Sequence, residues 1–176
     1  MARASELDRR GFLVAAAAAL LVPKRLFAAD AAPAGVPSDL LEKSPFAYVS
    51  PLRKDGAEST CHGEVWFAWI DGTVVVNSRR GTWKVRALEK GLDRARIWVG
   101  DHGRWKGVLP TGETNEAFRA APHFDARARF ESDRKVNDRL LELYAKKYGD
   151  DFDRWHEDMQ AGFFSGQRKL IRYAPL

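Results

Sequence analysis

Ser78, Arg79, Arg80, Thr82, Lys84 and Arg86 fall within nine residues of one another. Three guanidinium groups, an amine and two hydroxyls at that density suit a phosphate, since Arg makes bidentate contacts to phosphate oxygens and Lys acts as a point charge. Thr73–Ser78, with three consecutive valines, reads as a strand, and Gly81–Lys90 reads as a helix. In the helix, Val85 with Leu88 and Trp83 with Ala87 stand at helical spacings, and Gly91 is a natural stop. The cluster therefore sits where a strand meets a helix, and the first turn of that helix adds backbone N–H donors and a favourable dipole. The competing reading is a solvated basic face of the helix.

The segment before it is a candidate platform for whatever the phosphate belongs to. Glu58–Ile70 reads as one long strand, joined to Thr73–Ser78 by an Asp71–Gly72 hairpin turn. Alternation puts Ser59, Cys61, Gly63, Val65 and Phe67 on one side and Thr60, His62, Glu64, Trp66 and Ala68 on the other. Thr60, Cys61 and His62 are candidate contacts for a bound ring. Cys61 and His62 are adjacent, which is no metal-ligand spacing, and the sequence holds no other cysteine. Neighbours on a strand also point apart, so the pair makes no catalytic dyad. The plainer expectation is a buried Cys61 beside a surface or pocket His62. His123 and His156 lack partners in the sequence and receive no role.

The remaining elements frame these two segments. Phe46–Leu52 and Ala95–Val99 read as strands, and Phe118–Phe130 as two β-type stretches around Pro122. Ser132 is placed to cap a helix reaching Tyr148, with Val136, Leu140, Leu143 and Tyr144 on its apolar stripe. A second helix over Asp151–Phe164 is broken by Gly166, and Lys169–Tyr173 closes the chain as a strand. Ala32–Asp39 reads as a linker. Gly100–Asn115 reads as a glycine-rich loop whose Trp105 either docks on the body of the protein or covers a pocket or subunit interface. The order is mainly β, antiparallel and hairpin-dominated, a β-barrel with accessory helices and not a doubly wound sheet. No Gly-x-Gly-x-x-Gly follows a strand, which argues against a dinucleotide-binding fold.

Composition narrows the partners. Of the 29 Lys and Arg and 24 Asp and Glu, five and three lie in the first 31 residues, leaving the rest at a net +3. That is too mild for a nucleic-acid binder with a dense basic face. One cysteine provides no internal disulfide, so the core has to stabilise the fold alone. The first 31 residues run polar (Met1–Arg10), apolar and alanine-rich (Gly11–Val22), then small (Ala28–Ala34), the order of an export signal. The apolar run is shorter than the roughly 20 residues of a membrane span. Asp8-Arg9-Arg10-Gly11-Phe12-Leu13 resembles the twin-arginine consensus, which implies export of an already folded domain through the twin-arginine translocase to the periplasm or another extracytoplasmic space. Lys24 and Arg25 leave the cleavage point open, and with it an uncleaved anchor. About 145 residues would remain, one domain in size.

The stretch Gly63–Gly100, GEVWFAWIDGTVVVNSRRGTWKVRALEKGLDRARIWVG, resembles the pyridoxamine 5′-phosphate oxidase-like superfamily. Its likeness lies in the Val-Trp-Phe strand, the Asp-Gly turn, the basic helix before Leu88 and the Ala-Arg-Ile-Trp-Val strand, and it extends over Leu40–Pro175. The resemblance implies a split β-barrel with Greek-key-like connections, a homodimer with the cofactor between subunits, and FMN or the related deazaflavin coenzyme as cofactor. It makes Ser78, Arg79 and Lys84 the leading phosphate ligands, with Thr82 and Arg86 behind them, and Thr60–Glu64 part of the ring platform. An oxidoreductase of unspecified small-molecule substrate follows, with no catalytic side chain singled out. The alternative is a non-catalytic binding module on the same fold, for flavin or for haem with His62 or His102 as axial ligand.

Overall fold

The computed structural model describes residues 31–105 and 114–176. The expected export signal, apart from its last residue, and residues 106–113 of the glycine-rich loop lie outside the described residues. Among the described residues, twelve elements follow one another: α1 (Ser38–Lys43), β1 (Ala47–Pro51), β2 (Gly63–Val65), β3 (Ala68–Ile70), β4 (Thr73–Arg79), α2 (Trp83–Glu89), β5 (Arg94–Val99), a 3-10 turn (Ala117–Ala120), β6 (His123–Glu131), α3 (Arg134–Tyr148), α4 (Asp150–Ser165) and β7 (Arg168–Pro175).

The strands form one sheet in the order β2-β1-β5-β6-β7-β4-β3, and every pairing is antiparallel. The two outermost strands, β2 and β3, are separated by only Trp66 and Phe67 in the chain. The sheet must therefore curl until its edges nearly meet, which makes it a barrel split along that line. Alternate side chains divide between two cores. Val74, Val76, Ile171 and Tyr173 point into the barrel, where Val85 of α2 joins them. Val75 and Leu170 point outward under α3 and α4, against Leu140, Leu141, Tyr144 and Phe152.

The Asp71–Gly72 hairpin forms as expected, with both residues at positive φ (50° and 70°), the geometry that favours a two-residue turn. Other expectations are corrected. The long strand over Glu58–Ile70 is broken in two. Glu58 makes an isolated bridge to Leu52, Ser59 and Cys61 fold into a local turn, and β2 and β3 then join opposite edges of the sheet. Trp66 and Phe67 cross the gap with no strand beside them, and α3 satisfies their backbone instead. Tyr144 donates its hydroxyl to the Trp66 carbonyl (2.7 Å), and the Tyr148 hydroxyl accepts from the Phe67 N–H (3.0 Å). The expected linker holds the start of α1. The first β-type stretch before Pro122 is the 3-10 turn, leaving β6 alone after it. Asp133 and not Ser132 caps α3, accepting from the Lys135 N–H at 2.8 Å.

Candidate functional site

The basic cluster does lie at a strand–helix corner, but the strand divides it. Ser78 shares the inward face of β4 with Val74 and Val76 and is buried. Arg79, the next residue, points to the outer face. There its guanidinium pairs with Asp158 of α4 at 3.3 Å and lies 5.9 Å from the Trp155 ring. Arg79 and Arg80 line a cleft of about 310 Å3 between the end of β4, α4 and Arg168. Arg168 is itself buried and engaged by Asp158 (3.1 Å) and Asn77 (3.1 Å).

Thr82 and Lys84 follow on the turn into α2 and on its first turn. Thr82 occupies the N-cap position of α2, yet its side chain makes no capping bond, and its Oγ1 is buried without any hydrogen-bond partner. A buried orphan hydroxyl is uncommon, because such a group loses its hydration without compensation. The Lys84 amine lies 4.7 Å from the Trp83 ring. Burial pushes its pKa down, and the charge of Glu64 draws it part of the way back. Arg86 is exposed on the outer side of α2.

The structure brings the expected platform to this corner. Trp83 lies flat against β2: a Cβ added to Gly63 would meet its ring at 3.3 Å, so glycine is what permits that approach. Glu64, the next residue, accepts the Trp105 N–H at 3.2 Å. Trp105 is therefore docked. Its indole N–H donates to Glu116 at 3.1 Å and its ring stands edge-on to His62.

Thr60 and Cys61 are exposed, against the expected burial of Cys61, and His62 is buried and not at the surface. His62 Nε2 lies 3.3 Å from an Arg119 nitrogen. A guanidinium only donates, so Nε2 accepts and the ring proton sits on Nδ1, which is buried and has no partner. Burial first, and the Arg119 charge second, hold the imidazole below its usual pKa, partly offset by Glu116 and Glu58. Arg119 in turn bonds Glu58 (2.8 Å) and Glu116 (2.7 Å), while Arg96 bonds Asp125 (2.7 Å) and Glu58 (3.2 Å). This network answers its own charges and needs no ligand. Its members carry no local sequence signal, because the pairs join residues up to 61 apart.

No family model matches the sequence. No curated protein matches it either. Solved structures do. The haem storage protein HutZ of Vibrio cholerae superposes with a TM-score of 0.50 over 78% of this chain and 86% of its own, at 14% identity. A conserved hypothetical protein of Mycobacterium tuberculosis superposes with a TM-score of 0.50 over 82% and 85%, at 16% identity. At such identities the likeness is one of fold, and the chain is an antiparallel split β-barrel with an outer helical layer.

Proposed function

We propose that this protein is an exported flavin-binding member of the pyridoxamine 5′-phosphate oxidase-like superfamily, that it holds FMN with the phosphate at the β4–α2 corner, and that it works as a homodimeric oxidoreductase on a small molecule. The observation that carries the reading is the Thr82 hydroxyl, buried and unpartnered at the N-cap of α2, in the chain segment that joins buried Ser78 to half-buried Lys84. A phosphate oxygen would satisfy that hydroxyl, and the phosphate charge would balance an amine whose burial the charge of Glu64 offsets only in part. The residues present thus fit the anionic end of a flavin nucleotide. Bound flavin would supply the redox chemistry, and the chain would supply attachment, orientation and exclusion of water.

Deazaflavin coenzyme presents a phosphate to the same corner and is the nearest rival. Haem, which the name of HutZ brings to mind, fits His62 less well. Its Nδ1 is buried inside the protein and its Nε2 is engaged with Arg119, so iron would have to displace that contact.

Absorption of protein purified gently from an export-competent host tests the proposal. A flavin spectrum, retained through gel filtration at the mass of a dimer, is the expected result. Colourless protein that takes up neither FMN nor deazaflavin on reconstitution overturns it. Replacing Arg9 and Arg10 together by Lys should leave the protein in the cytoplasm, and unaltered export would remove the twin-arginine part of the proposal.

A further inference from the structure

A second cavity, of about 640 Å3, opens between α1, β3 and α3. Leu41, Trp69 and Leu143 give it an apolar wall, and Lys43, Lys146 and Lys147 bring three amines to it. Lys147 differs from the other two. Its chain turns inward at the end of α3, so that Nζ lies 3.7 Å from the centroid of the Phe67 ring and donates to the Phe67 carbonyl at 3.3 Å.

Its nearest contacts, the Phe67 ring face and carbonyl, suit an ammonium ion, whereas the charged groups around the cavity are mostly of its own sign. Lys146 and Arg139 come from its own helix and Lys43 from α1, all of the same sign. Glu42 of α1 is the carboxylate among the lining residues, and Asp71, at the β3–β4 turn, is held by Arg139 (3.5 Å) and Arg172 (3.4 Å). The Tyr148 ring is 5.7 Å away, and burial keeps its hydroxyl protonated far into the alkaline range. Burial lowers the Lys147 pKa to about 7, although the C-terminal end of a helix ordinarily favours a cation.

We propose that this cavity is a carbonyl-binding site, in which the Lys147 amine condenses with an aldehyde or ketone bearing an anionic group. The apolar wall takes the body of the molecule, and Lys43 and Lys146 take its negative charge. In the addition step the Nζ lone pair forms a bond to the carbonyl carbon, and the C=O π pair moves to oxygen, which gains the proton released by nitrogen. The carbinolamine then loses that oxygen as water and becomes the imine, so one water leaves and nothing is oxidised or reduced. A desolvated lysine of lowered pKa is the usual nucleophile for such a step. This inference stands apart from flavin binding.

The test treats the full-length protein with para-carboxybenzaldehyde and cyanoborohydride, then maps the reduced adducts by peptide mass spectrometry. At pH 7 about half of Lys147 is neutral, against roughly one part in a thousand of an ordinary lysine. Lys147 should therefore be labelled on the order of 100-fold faster than exposed Lys54 or Lys90, with a rate that levels off above about pH 7. Benzoate, which has the anion and ring but no carbonyl, should slow the labelling. Leu143→Trp, which fills the cavity and leaves the amine in place, should slow it about tenfold. Uniform labelling of all lysines, or a Lys147 rate still climbing toward pH 10, overturns the proposal from wild-type protein alone. Labelling indifferent to benzoate overturns the cavity as the binding site.

Discussion

Lys84 and Lys147 are both withdrawn from water, both rest on an aromatic ring, and both have a pKa pushed down by burial. They differ in what stands opposite. For Lys84, the charge of Glu64 helps keep the amine a cation. Lys147 faces a carbonyl oxygen and an aromatic ring, and no carboxylate offsets its burial. The same side chain is thereby fitted to two kinds of chemistry. A buried cation with an unpartnered hydroxyl nearby attracts a phosphate, whereas a buried neutral amine attacks a carbonyl.

The largest expected effect is on the Lys84 side. Lys84→Ala combined with Thr82→Val should weaken FMN binding by about 100-fold, or ~2.7 kcal/mol, measured by flavin fluorescence titration. Lys147→Ala should leave FMN affinity unchanged. Equal losses in the two variants would erase the distinction between the sites.

Next in size is a stability effect at Lys147. Its folded pKa lies below its unfolded one, so between about pH 7 and the ordinary lysine value the unfolded chain binds the extra proton. Stability from this group is complete at alkaline pH and is lost as pH falls toward 7. Lys147→Met, which cannot be protonated, should be more stable than wild type by on the order of 2 kcal/mol at pH 7, with the gap closing near pH 10. Urea unfolding across that range checks it. A gap that stays constant with pH would mean that the amine is charged in the folded protein.

A smaller change should convert one site toward the other. Leu143→Glu puts a carboxylate one helical turn before Lys147 and across the same cavity. The amine should regain its charge, and carbonyl labelling at pH 7 should fall about tenfold, while FMN binding stays as it was.

How much of this the sequence reveals depends on how far apart the contributing residues are. The Asp71–Gly72 turn, the stripe of α3 and the strand–helix junction are local patterns, and each appears where the sequence puts it. The split of Glu58–Ile70 is not local. The backbone of Trp66 and Phe67 gives up a strand partner because Tyr144 and Tyr148, about 80 residues later, supply the bonds. The same crossing brings Lys147 to the Phe67 carbonyl, which is why a lysine in the last turn of an ordinary amphipathic helix carries no warning of its burial. Cys61 is exposed for a related reason, because the turn at Ser59–Cys61 takes this segment out of the sheet.

Arg79 makes the smallest and most discriminating prediction. By composition it belongs with Ser78 and Lys84, and by resemblance it ranks beside them as a phosphate ligand. Yet β4 remains a regular strand through Arg79, so consecutive side chains must leave opposite faces, and Ser78 takes the inward one. The Arg79 guanidinium is already occupied by Asp158 and Trp155 on the outer face. Reaching a phosphate at Thr82 would cost both contacts and a change of face. Arg79→Ala should therefore weaken FMN binding by about twofold, the size of a long-range screened charge. A loss matching that of Lys84→Ala would mean that the phosphate lies in the Arg79–Arg80–Arg168 cleft, and the corner would have to be turned around β4 to its α4 side.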